Sequence, residues 1–234
     1  MRIRLSFNTL KQGVNTIPVN YQYPISAWIY QTLAKGDREL STFLHDSGFK
    51  VGAKSFKFFT FSQLNFPAKG FKVEGDRLHI LAGHCSLTVS FLLPQAMENF
   101  IKGLFNNQRF GIGDKKSQAD LLVASVEILA EPVFNGQATF TTASPIMVGR
   151  RVENCKSAAY LKPDEPGFEQ LLADNLIHKF TAALNYSLIK PGPELEMEDP
   201  EITFKLLNNP RMWGITVKAF TAEETKIMGY TLFS

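Results

Sequence analysis

Residues Tyr21–Ser62, YQYPISAWIYQTLAKGDRELSTFLHDSGFKVGAKSFKFFTFS, decide how the first half of the chain folds. Ile25, Trp28, Ile29, Thr32 and Leu33 recur at i, i+3, i+4, i+7 and i+8, the spacing of one helix face, so Tyr21–Ala34 is expected to be an amphipathic helix packed through that stripe. Gly36 ends it. Asp37 can cap a second helix, whose Leu40, Phe43 and Leu44 form a further stripe before His45 and Gly48 close it. His45 is thereby placed at a helix end. Phe49–Ser62 reads as a loop carrying Lys50, Lys54 and Lys57 that feeds a buried strand with Phe56, Phe58, Phe59 and Phe61.

Upstream, Arg2–Phe7 alternates so that Ile3, Leu5 and Phe7 face a core, which predicts a first strand. Downstream, Phe71–Val73 and Arg77–Leu81 flank the turn signal E-G-D, and Ser86–Ser90 continues in β-favouring residues. Pro94–Phe105 places Met97, Phe100, Ile101, Leu104 and Phe105 on one helix face, with Pro94 in the first turn. Asp120–Ala130 is an apolar strand pattern. Strand, helix, strand, strand, helix, strand is the ferredoxin-like order, with one short helix inserted. A second series follows: strands at Gln137–Thr142, Ile202–Leu207, Met212–Phe220 and from Lys226, and a helix over Pro166–Asn185 with Phe168, Leu171, Leu172, Leu176, Phe180, Ala183 and Leu184 inward.

The composition, 44% hydrophobic and 20% charged over 234 residues, provides material for a sizeable core and excludes a disordered chain. The N-terminal MRIRLSFNTLKQG has no apolar leader and no run reaches the roughly 18 apolar residues of a membrane span, so the expected compartment is the cytoplasm, with no membrane partner. Cys85 and Cys155 lack metal-site spacing and read as buried thiols. Charge is lopsided. Residues 1–130 hold 15 Lys/Arg against 9 Asp/Glu, a balance of +6, whereas residues 131–234 hold 10 against 13, a balance of −3. An electrostatic footprint for nucleic acid is expected mainly on the first half or across the seam, although solvated surface accounts for the same charges.

Several of these residues, taken in order, resemble a known family. Tyr30, then Leu44–His45, then K-F-F-T-F-S at Lys57–Ser62 resemble the CRISPR-associated repeat-RNA endoribonucleases, which cut precursor CRISPR RNA within its repeats. The resemblance continues through E-P-x-F-N-G at Glu131–Gly136, F-T-T-A-S-P-I at Phe140–Ile146 and D-N-L-I-H-K-F at Asp174–Phe180. It implies an α+β chain of two tandem ferredoxin-like (RRM-like) domains with antiparallel sheets, the first over residues 1–130 carrying the catalytic residues and the second over 131–234. The family closes with a C-terminal glycine-rich loop that this chain, ending at Ser234, lacks, so a truncated second domain is expected.

The implied reaction is metal-independent attack of a ribose 2′-hydroxyl on the adjacent phosphate, leaving 2′,3′-cyclic phosphate and 5′-hydroxyl ends. The resemblance assigns His45 as general base or acid, Tyr30 as a partner in proton transfer and Lys57 as the phosphate cation. Histidine suits the task because its ordinary pKa of about 6.5 leaves both protonation states available near neutrality. Each residue also has a structural reading: His45 as a helix C-cap, Tyr30 as a half-buried core tyrosine and Lys57 as an edge-strand gatekeeper. Lys50, Lys54, Arg150, Arg151 and Lys156 are the candidate RNA contacts, with a solvated loop as the alternative for the last three. CRISPR repeat RNA is the expected partner, a CRISPR effector complex a further one; a non-catalytic RNA-binding scaffold subunit, or an unrelated ferredoxin-like interaction protein, are the competing functions. No cofactor is expected. His79 and His84 beside Cys85 do not make a zinc set, and G-I-G-D-K-K-S at Gly111–Ser117 reads as a connecting turn with a phosphate contact as its alternative.

Overall fold

The computed structural model describes residues 1–10, 15–133, 145–150, 159–190, 211–217 and 225–231. Two compact units emerge: Met1–Gly48 with Lys57–Val133, and Phe49–Phe56 with Phe134–Ser234. The sequence keeps residues 49–56 in the first domain; the structure groups them with the second unit. Among the described residues no helix is long and apolar enough to cross a membrane.

The first unit is built from β1 (Arg2–Thr9), β2 (Asn15–Pro18), α1 (Gln22–Gly36) and α2 (Arg38–Thr42), the last running into a π-helical turn over Phe43–Ser47. After the excursion β3 (Phe49–Val51) and β4 (Lys54–Phe56) come β5 (Phe59–Phe61), β6 (Phe71–Glu74), β7 (Arg77–Ile80), β8 (His84–Phe91), α3 (Pro94–Asn106), β9 (Arg109–Gly113) and β10 (Gln118–Leu129). The main sheet has the order β5-β8-β1-β10-β9 and every pairing in it is antiparallel. Four of these strands with α1 and α3 form the ferredoxin-like arrangement, and β9 extends its edge. The hairpin read from E-G-D does form, as β6 and β7, but it pairs with β2 in a separate three-stranded sheet.

Period-two alternation on β1 turns Ile3, Leu5 and Phe7 to one face, where Leu87, Val89 and Phe91 of β8 and Leu121 of β10 join them in full burial. Helices α1 and α3 cover that face. Trp28 is the hub, stacked on Phe110 at 4.2 Å and edge-on to Phe7 and Phe100 at 5.8 and 5.7 Å. The helices approach closely because each offers a glycine: a Cβ on Gly103 would lie 1.9 Å from the Thr32 carbonyl oxygen, and one on Gly36 would lie 2.0 Å from that of Asn99.

Three sequence expectations need correction. Phe43 and Phe105 sit at the margins of their stripes, where a helix face turns toward solvent, and are 38% and 66% exposed. The Phe-rich segment is a three-residue edge strand, β5, rather than a buried one: Phe58, Phe59 and Phe61 are only partly covered, while Phe56 is buried in β4. Third, the segment read as a loop contains the β3–β4 hairpin, whose two-residue turn has Gly52 at φ +56°.

The G-I-G-D-K-K-S segment is the tight β9–β10 turn. Asp114 accepts hydrogen bonds from the backbone N–H groups of Lys116 and Ser117 at 2.9 and 3.0 Å, so these donors are already used within the turn. Arg77, almost covered, reaches from β7 to Asp114 at 2.8 Å and to the Ser117 hydroxyl at 2.9 Å. Burial pushes the Asp114 carboxyl up, but the bonds from Arg77, Ser117 and Lys116 outweigh it and hold it below the ordinary value. His79 is engaged within the small sheet, 3.1 Å from the Thr16 hydroxyl and 3.4 Å from Glu74.

In the second unit, β11 (Gly149–Arg150) pairs with β12 (Ala159–Tyr160), and β13 (Arg211–Val217) with β14 (Thr225–Thr231), all antiparallel; α4 (Phe168–Asn185) is its helix. Phe168 packs with Val148 and Leu161, and Leu171, Leu172 and Ile146 lie against them. Leu176, expected inward, is 42% exposed. The expected strands at Gln137–Thr142 and Ile202–Leu207, and Cys155, lie outside the described residues; Cys85 is buried.

Candidate active site

The site residues of the first unit are positioned by the cap of α2. Asp37 receives the Leu40 N–H at 2.9 Å with one carboxylate oxygen, capping the helix as the sequence suggests, and with the other accepts from the buried Asn99 side chain of α3 at 3.1 Å. Ser41 donates to the Tyr30 carbonyl oxygen at 2.9 Å, binding α2 to α1. The short α2 then widens into the π-helical turn, which ends where the Gly48 N–H bonds the Phe43 carbonyl at 2.7 Å. This wider turn sends Leu44 into the core, fully buried, and leaves the His45 side chain about two-thirds exposed, at 66%.

Tyr30, His45 and Lys57 converge there. The Tyr30 and His45 rings meet edge to face with centroids 5.0 Å apart, and Phe59 of β5 closes on the other side of Tyr30 at 5.2 Å. The Lys57 ammonium donates to the His45 carbonyl oxygen at 2.9 Å. His45 Nδ1 lies 2.7 Å from the Asp46 carboxylate. A carboxylate only accepts, so Nδ1 carries the proton, and Nε2 is a lone pair in the neutral ring and an N–H in the charged one. Burial pushes the Tyr30 phenol above its ordinary pKa, so the hydroxyl is a proton donor rather than a base near neutrality.

Asp46 escaped the sequence reading, and Gly48 was read only as the residue that closes the second helix. The first was visible only as the neighbour of His45. Gly48 adopts φ 60° and ψ −166°, a region that is essentially glycine's alone, and so releases the chain from the π-helical turn into β3.

The candidate RNA contacts distribute differently. Lys50 and Lys54 belong to the β3–β4 hairpin and both side chains are exposed, with the Lys54 ammonium 3.3 Å from His178 Nδ1 on α4. Arg150 is exposed on β11, whereas Arg151 and Lys156 lie outside the described residues.

Residues 16–122 match the family model for CRISPR-associated protein Cas6, N-terminal, and residues 129–232 that for CRISPR associated protein Cas6, C-terminal. The chain is 28% identical over 188 residues to the CRISPR-associated endoribonuclease Cas6 1 of Methanocaldococcus jannaschii, covering 79% of this chain and 67% of that one. It is also 28% identical over 183 residues to the CRISPR-associated endoribonuclease Cas6 of Pyrococcus furiosus, covering 78% and 63%. The chain thus spans about two thirds of the length of these curated relatives.

Among solved structures, the fold resembles an RAMP protein described as binding different RNA substrates, with TM-score 0.75, 20% identity and coverage of 99% and 85% of the two chains. It also resembles the product of a Cas6-related gene from Pyrococcus furiosus, with TM-score 0.76, 21% identity and coverage of 99% and 84%. These likenesses speak to the fold, two tandem ferredoxin-like domains of the α+β class. Two family models that together run from residue 16 to residue 232, and two endoribonuclease relatives aligned over most of the chain, place it: the chain belongs to the Cas6 family of CRISPR-associated endoribonucleases.

Proposed function

We propose that this chain cleaves CRISPR repeat RNA without a metal, using the ribose 2′-hydroxyl as nucleophile. The observation that carries this reading is the meeting of Tyr30, His45 and Lys57 on one face of the first unit. His45 Nε2 removes the 2′ proton, the 2′ oxygen bonds to phosphorus, and the bond from phosphorus to the 5′ oxygen breaks. Tyr30 supplies the proton that the departing 5′ oxygen takes, and the imidazolium formed on His45 restores it. Lys57 bears on the charge that builds on the non-bridging oxygens. General acid and base groups of this kind contribute about 10²- to 10⁴-fold. The same convergence favours the enzyme over the scaffold alternative, since a scaffold has no use for an exposed histidine whose Nδ1 is fixed by a carboxylate.

Lys50, Lys54, Arg150, Arg151 and Lys156 then serve as phosphate-binding cations outside the reacting centre, and a CRISPR effector complex is a further partner for the product. Replacing Arg150 with Ala should flatten the salt dependence of RNA binding by about 0.7 in log–log slope for each single-strand phosphate that is no longer neutralised.

The decisive test uses repeat RNA with a 2′-deoxy nucleotide before the cut. It should bind normally and remain uncut, while wild-type RNA is cut equally well with EDTA present. Cleavage of the deoxy substrate at the ordinary rate, or abolition of wild-type cleavage by EDTA, sinks the mechanism.

A further inference from the structure

The chain leaves the first unit three residues after His45 and returns to it at Lys57. Everything between, Phe49–Phe56, is the β3–β4 hairpin, which belongs to the second unit. Three residues per strand is too short for a hairpin to hold itself in water, so its order must come from packing. Phe49 and Phe56, directly paired at the open end of the ladder, are both buried. The covering element is α4 with its C-terminal cap. The Tyr186 ring meets Phe49 edge-on at 5.1 Å, and its hydroxyl receives the Lys50 N–H at 3.4 Å. Nearer the turn, the Lys54 ammonium lies 3.3 Å from His178 Nδ1, but the Asp174 carbonyl oxygen one turn back along α4 takes the Nδ1 proton, so this nitrogen accepts nothing from Lys54.

The ends of the hairpin are equally constrained. Gly48, with φ +60°, precedes β3, and Phe58, a non-glycine residue at φ +50°, follows Lys57. Because Phe49 pairs with Phe56, the ladder fixes the separation of Gly48 from Lys57. The Lys57–His45 bond then closes the loop on the site side. Whatever holds the hairpin therefore holds the backbone on which the proton-transfer histidine and the phosphate cation sit.

We propose that Tyr186 is a positioning residue for RNA cleavage: by clamping the β3–β4 hairpin on α4 it sets, through the chain, the placement of Lys57 relative to the His45 turn. This rests on the catalytic reading of His45 and Lys57 above.

The experiment measures single-turnover cleavage of a synthetic CRISPR-repeat RNA at saturating protein, and affinity for its uncleavable 2′-deoxy form, with the full chain. Tyr186→Ala should slow cleavage about tenfold or more, since misplacement of about 1 Å costs up to 10²-fold. Affinity should fall by less than the rate, since Lys50 and Lys54 on the hairpin are only two of the phosphate-binding cations. Tyr186→Phe, which keeps the ring on Phe49, should restore most of the rate, which a general loss of fold would not allow. Should Tyr186→Ala fail to fold, Tyr186→Leu, which keeps apolar cover but loses the edge-on ring, carries the same test. A wild-type rate for the alanine variant, or for Tyr186→Leu in its place, with His45→Ala inactive, overturns the clamp and leaves the catalytic reading standing. If His45→Ala itself cleaves normally, the catalytic reading falls and the clamp with it. A loss of affinity that matches the loss of rate also overturns the proposal, making Tyr186 an RNA-binding group.

Discussion

The His45 imidazole stands edge-on to the Tyr30 ring, 5.0 Å between centroids, and is held from its other nitrogen by Asp46 at 2.7 Å. Packing on one side and a hydrogen bond to a carboxylate on the other hold the exposed ring and keep the proton on Nδ1. The two rings come from different helices, α1 and the turn after α2, so their meeting depends on how Asp37 and Ser41 join those helices.

His45→Ala should lower repeat cleavage by about 10²-fold or more while leaving RNA affinity nearly unchanged, because it removes a proton-transfer group and no cation. Tyr30→Phe removes the group that protonates the leaving oxygen, so it should likewise cost about 10²-fold or more and should also spare affinity. Equal losses of affinity and rate in both variants would reassign the pair to binding.

Asp46 acts through His45. Asp46→Ala frees Nδ1 to lose or keep its proton, so the competent tautomer is no longer enforced, and cleavage should drop severalfold to tenfold. Asp46→Glu should recover part of the loss. Both variants should bind RNA as the wild type does, and a wild-type rate for Asp46→Ala would remove the carboxylate from the mechanism.

Gly48→Ala places a Cβ at φ 60° and ψ −166°, where side chains other than glycine's hydrogen are strained by about 1–3 kcal/mol. Urea denaturation should register that destabilisation. Cleavage should fall further than stability explains, because the strain sits between His45 and the β3–β4 hairpin. Unchanged stability and rate would show that the π-helical turn relaxes without cost.

Alkaline pH should weaken the first unit. Burial first, with a smaller contribution from Cys85, pushes the Tyr21 phenol from an ordinary 10.0 to about 12, against the lowering effect of the Leu64 N–H, and burial pushes the Cys85 thiol from 9.0 to about 12. Both folded values lie above the unfolded ones, so the unfolded chain gives up its protons first. The associated stability is intact below about pH 9 and is lost as pH rises toward 12, at roughly 1 kcal/mol per pH unit for each group that titrates only when unfolded. Urea midpoints measured from pH 8 to 11 should fall, and Tyr21→Phe should make the decline shallower.

Much of the first unit was legible because helix faces and strand faces are local geometry. The α1 stripe read from spacing, Ile25, Trp28, Ile29, Thr32 and Leu33, is the set that the fold buries, and Ile3, Leu5 and Phe7 point inward as alternation requires. Phe43, Phe105 and Leu176 fit the same periodicities and are exposed, since a stripe says which side turns inward but not how far the covering element extends.

By itself, the sequence determined the helices of the first unit, the cap at Asp37, and the identity of three residues suited to proton transfer and phosphate charge. The helices and the cap follow from backbone periodicity and side-chain chemistry, which each residue carries with it, and the three residues follow from the resemblance to the repeat-RNA endoribonucleases. Only the tertiary structure decided that these three meet, that Asp46 fixes the imidazole, and that the segment between His45 and Lys57 is a hairpin held by α4. The reason is physical: the widened turn after α2, the left-handed Gly48 and the burial of Phe49 and Phe56 are settled by packing between segments far apart in the chain, and no spacing within one segment encodes that balance.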